Sequence, residues 1–411
     1  MLSLSQALEI DTPFYELVQL LSPSHFSLDS IPQDHWPYIV SFANRMRVIP
    51  LLFFMLKQNQ KIQPPPEILE ELRSMYHMNS GRNLTISREL GRMLTSFDEN
   101  AIRVMPLKGA YLAYAVYERP SVRQMLDLDL MVRWEDMAKA IATLQSLGYH
   151  ATEKFSVSDE CRRFDHHGPG YYIHSSGVKV ELHWNVIDAH SIGEREIALG
   201  EIFLSRARPG MLVGAKTYLM THEDLIFHSA IHQTVHHTFN LGIREFYDIE
   251  QIYNKFRGHI DWERLFVLAR DLTLERPLLL TLALTDLITG SDILETVKQK
   301  GFSSEIPDCY LIEAIGEIQR KDTRHSVSFK ISNSKPGILK LIRPTLNRIF
   351  LSRESMALKY HLPSDSLMIY LFYPYRLYDL IIHYGPDLCG EYFSSSQEKR
   401  NRDFWKWMYG E

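Results

Sequence analysis

Asp127 and Asp129 lie two residues apart inside an apolar run formed by Leu126, Leu128, Leu130 and Val132. That alternation predicts a half-buried strand with both carboxylates on one face and the leucines on the other. Two like charges on one strand face repel each other. A divalent cation between them turns the repulsion into coordination, because Mg²⁺ accepts hard oxygen ligands. Further along, Gly177 to Trp184 alternates Val178, Val180, Leu182 and Trp184 against Lys179, Glu181 and His183. This places Glu181 on the polar face of a neighbouring strand, with His183 beside it to contact substrate, to orient the carboxylate, or to serve as a hydrogen-bonded strand histidine. Three carboxylates on adjacent strands can hold two metals about 3.5–4 Å apart, the arrangement that stabilises attacking and leaving oxygens in phosphoryl transfer.

A phosphate grip precedes the acids. Residues 102–107 read as a short strand, Lys108-Gly109 as a turn, and residues 110–117 as a helix. A glycine at a strand-to-helix turn lets backbone N–H groups approach a phosphate at the positive helix end. Lys108 adds a mobile charge there. Arg123, between that helix and the acidic strand, is expected to reach polyphosphate oxygens in a bidentate way.

The elements that must position these residues are also legible. Residues 1–98 form an N-terminal helical region: the run 51–56 is a buried helix, Pro64-Pro65-Pro66 breaks it, and Ile68, Leu69, Leu72 and Met75 resume at helical spacing. Arg73, Arg82, Arg88 and Arg92 read as its solvated face. Residues 99–190 form a mixed core of strand, turn, helix and acidic strand. Its next helix runs from Trp134 to Gly148 with Gly148 as C-cap, and Tyr171-Tyr172-Ile173 pairs with 178–184 as a hairpin. Residues 191–330 form a helical domain closing a cleft, opened by a capping sequence at Thr221 to Asp224. Residues 331–411 form a C-terminal helical region, after a linker at 332–337. The fold class is α+β.

Composition fits an ordinary globular protein of 411 residues, 45% hydrophobic and 23% charged. A net charge of −5 argues against bulk nucleic-acid binding. Three cysteines, Cys161, Cys309 and Cys389, lack paired spacing, which points to a reducing compartment and a cytoplasmic location. The N-terminal stretch has no basic n-region, and residues 367–384 are broken by Pro374, Arg376 and Asp379, so neither a secretory signal nor a membrane span is expected. The aromatic tail with Phe404, Trp405, Trp407 and Tyr409 reads as a docking helix. GxxxxGK[ST], GxGxxG and GxSxG are absent, which disfavours P-loop, Rossmann and hydrolase readings.

Several motifs together resemble the nucleotidyltransferase superfamily of DNA polymerase β type, and more closely a bacterial family labelled uncharacterised nucleotidyltransferase. They are Leu107-Lys108-Gly109, Tyr117, Arg123, the run Asp127 to Val132, Gly148-Tyr149 and Glu181-Leu182-His183-Trp184. The resemblance implies a small polymerase-β-like sheet with flanking helices, embedded between the helical regions. It implies metal-dependent transfer of a nucleoside monophosphate from an NTP such as ATP to an unknown small-molecule, peptide or protein acceptor, with release of pyrophosphate. Mg²⁺ or Mn²⁺ would sit on Asp127, Asp129 and Glu181, and Lys108, Gly109, Arg123 and His183 would bind the nucleotide. Here the superfamily's usual Gly-Ser pair is Lys108-Gly109, and the longer spacing to Asp127 implies an extra helical turn. The same acids and grip also suit a sugar-nucleotide donor or a non-catalytic nucleotide-binding protein.

His228, His232 and His236 recur every fourth residue, with His237 adjacent. On one helix face they would form a zinc site, line the nucleotide cleft, or pack; His222 to Ile226 fails the HExxH pattern. Arg244 and Asp248 are spaced for an intrahelical salt bridge. The loop Asp165 to Gly170 reads as a flexible cleft edge.

Overall fold

The computed structural model describes residues 12–22, 30–59, 61–153, 165–168, 170–188, 198–302, 306–320, 353, 356, 366–378 and 403–408. The chain divides into two compact units, residues 1–321 and 322–411. The expected linker at 332–337 lies outside the described residues, as do Cys161 and Cys389.

Helical spacing of apolar residues sets the first part of unit 1. Helices α1 (Thr12–Leu21), α2 (Trp36–Arg45) and α3 (Ile49–Gln58) bury Leu17, Val18, Ile39, Ala43 and Leu52 among other residues. Helix α4 (Pro66–Glu99) follows the proline break, with proline in its first turn where the missing N–H costs nothing. Its buried residues Ile86, Leu90, Met93, Leu94 and Phe97 keep the 3.6-residue period. Arg73, Arg82, Arg88 and Arg92 face solvent. Two buried asparagines on α4 hold the chain that leads to the acids: Asn79 Nδ2 donates to Ser121 O at 2.7 Å, and Asn83 Nδ2 to Pro120 O at 2.7 Å and Arg123 O at 2.9 Å.

The core is a five-stranded sheet: β1 (Val104–Pro106), β2 (Leu128–Val132), β3 (His150–Ala151), β4 (Tyr172–Ile173) and β5 (Lys179–His183), in the order β1-β2-β5-β4-β3. β2 and β5 pair in parallel, and the other neighbours are antiparallel. Helix α5 (Lys108–Ala115) connects β1 towards β2, and the long approach to Asp127 contains a 3-10 turn at Pro120–Val122. Helix α6 (Met137–Ser146) ends near Gly148, whose φ of +86° is the left-handed conformation glycine favours. The expected pairing of 171–173 with 178–184 is present, with Tyr172 opposite Val180.

Two expectations about strands need correction. β2 is buried at all five positions rather than on alternate ones, so both faces of this strand are covered. Leu126, outside the strand, is 42% exposed. The stretch after residue 190 is not purely helical. After helix α7 (Leu199–Arg206), strands β6 (Arg208–Leu212) and β7 (Ala215–Leu219) form a hairpin, with Val213 and Gly214 both at positive φ as a type I′ turn requires. Pro209 and Gly210 hide that hairpin from a propensity reading. Thr217 Oγ1 donates to Val104 O at 2.9 Å and ties it to the sheet.

Helix α8 (His222–Ile231) begins at Thr221, whose hydroxyl accepts from Asp224 N, so the capping sequence does what its spacing suggests. A π turn, His232–His236, follows directly. Helices α9 (Arg244–Phe256), α10 (Trp262–Asp271), α11 (Glu275–Thr289), α12 (Ile293–Gln299) and α13 (Asp308–Arg320) complete the unit. α11 is buried almost all round. Its Thr281, Thr285 and Thr289 hydroxyls each donate to the carbonyl four residues back, which lets polar side chains enter a core.

In unit 2, residues 369–378 are helical with Ile369 buried against Met356, and residues 403–408 are helical with Phe404, Trp405 and Met408 buried. Among the described residues no helix is long and apolar enough to cross a membrane.

Candidate active site

Strand register builds the site. The parallel β2–β5 pair sets Asp129 directly opposite Glu181 and Met131 opposite His183. Neighbouring strands are about 4.8 Å apart, so paired residues of like orientation meet. His183 Nε2 lies 2.9 Å from Asp129 Oδ1 and 3.1 Å from Glu181 Oε2, bridging the two carboxylates. Leu107 N donates to Asp129 O at 2.9 Å, which brings the start of α5 against the same strand. Lys108 Nζ then reaches Asp129 Oδ1 at 2.8 Å. Asp127 stands just before β2, and the charges on Asp129, Lys108, Glu181 and Arg244 all act on it.

The electrostatics follow from that crowding. Burial and the neighbouring Asp129 charge raise the Asp127 carboxyl above its ordinary value. Burial would raise Asp129 too, but Lys108 and His183 outweigh it and hold Asp129 well below the carboxylate range. Against its own burial, Lys108 is raised by Asp129, and His183 by its hydrogen bonds to Asp129 and Glu181. One carboxylate is thus charged under the grip of two donors, while the next resists charging. Asp129, Glu181 and His183 each present a ligand atom, all within 4.8 Å of one another. Two carboxylate oxygens and an imidazole around one point, with a third acid in the same field, suit a divalent cation.

Gly109 and Arg123 sit in surroundings other than those expected. The left-handed residue of the turn is Lys108, with φ +44°, not Gly109. Gly109 answers a close approach instead: a Cβ there would lie 2.5 Å from Arg123 Nη1 and 3.0 Å from Met125 Cγ. Arg123 is 4% exposed, and its guanidinium is taken up by Asp248, Nε to Oδ1 at 2.8 Å and Nη2 to Oδ2 at 2.7 Å. Tyr117 donates to the same Asp248 Oδ1 at 2.7 Å. This buried fork leaves Arg123 poorly placed to reach polyphosphate, which corrects that expectation. The expected Arg244–Asp248 bridge is corrected with it. Arg244 turns to Glu245 at 2.6 Å and to Gln124 O at 3.2 Å, because Asp248 is taken up by Arg123 and Tyr117.

Arg47 escaped the sequence reading. It follows α2 in a left-handed conformation, φ +59°. Burial and then Arg244 push its guanidinium below the ordinary value, while Glu245, Asp127 and Tyr171 act in the other direction. A cation from the N-terminal helices therefore stands in the field of the acidic centre. Nothing in its local sequence separates it from the solvated arginines nearby.

The segment 165–168 is not a loose edge. Trp184 N donates to His166 O at 3.0 Å, Gly168 N to Leu182 O at 3.1 Å, and His167 bridges to His183, so it runs on along β5. Pro169 lies outside the described residues. His228, His232 and His236 do follow one another along one face, with ring centres 5.8 Å and 5.7 Å apart, although the π turn begins at His232. His232 and His236 are parallel with ring centres 5.7 Å apart, and His166 lies 4.6 Å from His236 by the same measure. Thr238 and Phe239 follow at φ +46° and +66°, a strained pair held by the buried Phe239 ring.

A family model described as uncharacterised nucleotidyltransferase matches residues 32–290. No curated protein matches the chain. Among solved structures the chain is similar to the antibiotic-resistance factor ANT(2'')-Ia, at 14% identity over 47% of this chain and 92% of that one, with a TM-score of 0.32. It is also similar to an antigenic nucleotidyltransferase-like protein from Paracoccidioides brasiliensis, at 14% identity over 47% of this chain and 91% of that one, with a TM-score of 0.28.

Proposed function

Because this chain belongs to the uncharacterised nucleotidyltransferase family, we propose that it transfers a nucleoside monophosphate from an NTP to an acceptor and releases pyrophosphate, with Asp127, Asp129 and Glu181 at the reacting centre. The observation that carries this reading is the direct pairing of Asp129 with Glu181 across β2 and β5, with Lys108 and His183 converging on one Asp129 oxygen. An acceptor hydroxyl would attack the α-phosphorus, the bond from that phosphorus to the pyrophosphate oxygen would break, and the hydroxyl proton would pass to Glu181. Glu181 suits that task because its hydrogen bond to His183 orients it while it is only partly buried. Mg²⁺ or Mn²⁺ held by Asp127, Asp129 and Glu181 would supply charge neutralisation on the phosphates.

Lys108 lies close enough to exchange Asp129 for a phosphate oxygen. Arg47 is the further cation for the polyphosphate, in place of Arg123. Positioning and preorganised charge would provide most of the acceleration, as is usual in phosphoryl transfer.

The test is calorimetric Mg²⁺-dependent NTP binding together with pyrophosphate release, for wild type and Glu181→Gln. Glu181→Gln is expected to lower turnover by orders of magnitude while leaving Mg²⁺–NTP affinity within about tenfold, or ~1.4 kcal/mol. Normal turnover in Glu181→Gln would refute the mechanism. Tight NTP binding by wild type with no pyrophosphate from any NTP would point to a binding protein, and nucleoside diphosphate release from a sugar nucleotide to a different donor.

A further inference from the structure

Beyond the acidic centre, a second group of ligand atoms comes together from three separate parts of the chain. His166 comes from the segment that runs along β5, Asp188 from the stretch after β5, and His236 from the end of the π turn. One ligand atom from each lies within 4.8 Å of the others, and His236 Nδ1 is 3.1 Å from Asp188 Oδ2. All three are intermediate in exposure, so the position is neither sealed in the core nor spread on the surface.

We propose that His166, Asp188 and His236 form a second metal site, distinct from Asp127, Asp129 and Glu181, for a divalent transition metal of the zinc type. The donor set decides the class. Two imidazoles and one carboxylate favour Zn²⁺ and its first-row neighbours, whereas Mg²⁺ is held by oxygen ligands. In a tetrahedral site with bonds of about 2.1 Å, ligand atoms lie roughly 3.4 Å apart. Ligand atoms already within 4.8 Å of one another have to close by at most about 1.4 Å to reach that spacing, within reach of side-chain rotation. Three protein ligands leave a fourth position for water or a substrate oxygen, the open arrangement of catalytic zinc rather than the closed one of structural sites.

The surroundings hold this geometry in place. His166 is fixed by its carbonyl, which accepts from Trp184 N and Asn185 N at 3.0 and 3.1 Å. His236 stacks on His232, and His232 is linked to His237 through their Nε2 atoms at 3.1 Å, so the His236 ring is packed into a row of imidazoles. π turns of this sort occur often at functional sites. The ring of His166 lies 5.6 Å from that of His183, so the two positions would be neighbours.

The full chain, stripped with chelator and returned to excess Mg²⁺, is titrated with Co²⁺ followed by visible absorption, and with Zn²⁺ by calorimetry. Wild type is expected to bind one Co²⁺ with tetrahedral-type absorption. His236→Ala and His166→Ala should each weaken it by roughly a hundredfold or more, exceeding the ~10–100-fold cost of an outer-shell change. Asp129→Asn should leave the absorption in place. The proposal is overturned if wild type takes up no Co²⁺ under these conditions, if both histidine variants bind within about threefold of wild type, or if Asp129→Asn abolishes the signal. If His236→Ala does not fold, as judged by its melting curve, His166→Ala and Asp188→Asn decide the matter.

Discussion

Lys108 and His183 share one oxygen: Asp129 Oδ1 receives the lysine ammonium at 2.8 Å and the imidazole at 2.9 Å. One donor comes from the strand-to-helix turn and the other from the parallel neighbour strand. Asp129 is thereby the junction of those two elements.

That junction separates the two aspartates by experiment. Asp127 has a raised folded-state value, so its ionisation opposes folding at pH 7, an effect that grows as pH rises above its ordinary 3.8. Asp127→Asn should therefore leave stability unchanged or higher while removing metal-dependent activity. Asp129 is held low, so it contributes stability at neutral pH that is lost in acid. Asp129→Asn should cost roughly 1–3 kcal/mol by stranding Lys108. Urea unfolding at neutral pH in chelator checks both, and equal effects would refute the asymmetry.

If Lys108 exchanges Asp129 for phosphate, Lys108→Ala should weaken NTP binding far more than binding of the corresponding nucleoside. Calorimetry with the two ligands decides this. An equal loss for both would leave Lys108 as a structural partner of Asp129 alone.

The Arg123–Asp248 fork predicts a loss of fold rather than of ligand contacts. Breaking a buried pair by removing one partner costs about 3–5 kcal/mol, because the other charge is left unpaired. Arg123→Met or Asp248→Asn should lower stability by about that much, with nucleotide affinity retained in the fraction that remains folded. Gly109→Ala pushes on the same guanidinium and should cost about 1–3 kcal/mol. Selective loss of NTP binding in a stable Arg123→Met protein would restore Arg123 to the phosphate site.

Burial, and then the charge of Lys108, lower His228 from 6.5 to about 3. The unfolded chain binds that proton and the folded chain does not, so stability falls as pH drops through 6.5 and continues to fall to about 3. His166 and His232 are lowered in the same sense by burial and neighbouring cations. His228→Leu should remove about one proton from the acid dependence, or ~1.4 kcal/mol per pH unit between about pH 6 and 4.5. Urea unfolding across that range measures it, and an unchanged slope would mean that His228 is not buried neutral.

The short-range content of this protein is carried by its sequence. Alternation placed Asp129 and Glu181 on strands, helical spacing placed α3 and α4, and Thr221 capped its helix, because each depends on residues a few positions apart. The tertiary structure alone decided who meets whom. Asp248 faces Arg123 across 125 positions of chain, and no local pattern distinguishes that pairing from the nearer Arg244. Arg47 comes to the field of Asp127 from the N-terminal helices, and Asp188, after β5, meets His236 at the end of the π turn. Burial of β2 on both faces likewise depends on what packs over the sheet. Such contacts are set by topology and packing, which join residues that local periodicity cannot relate.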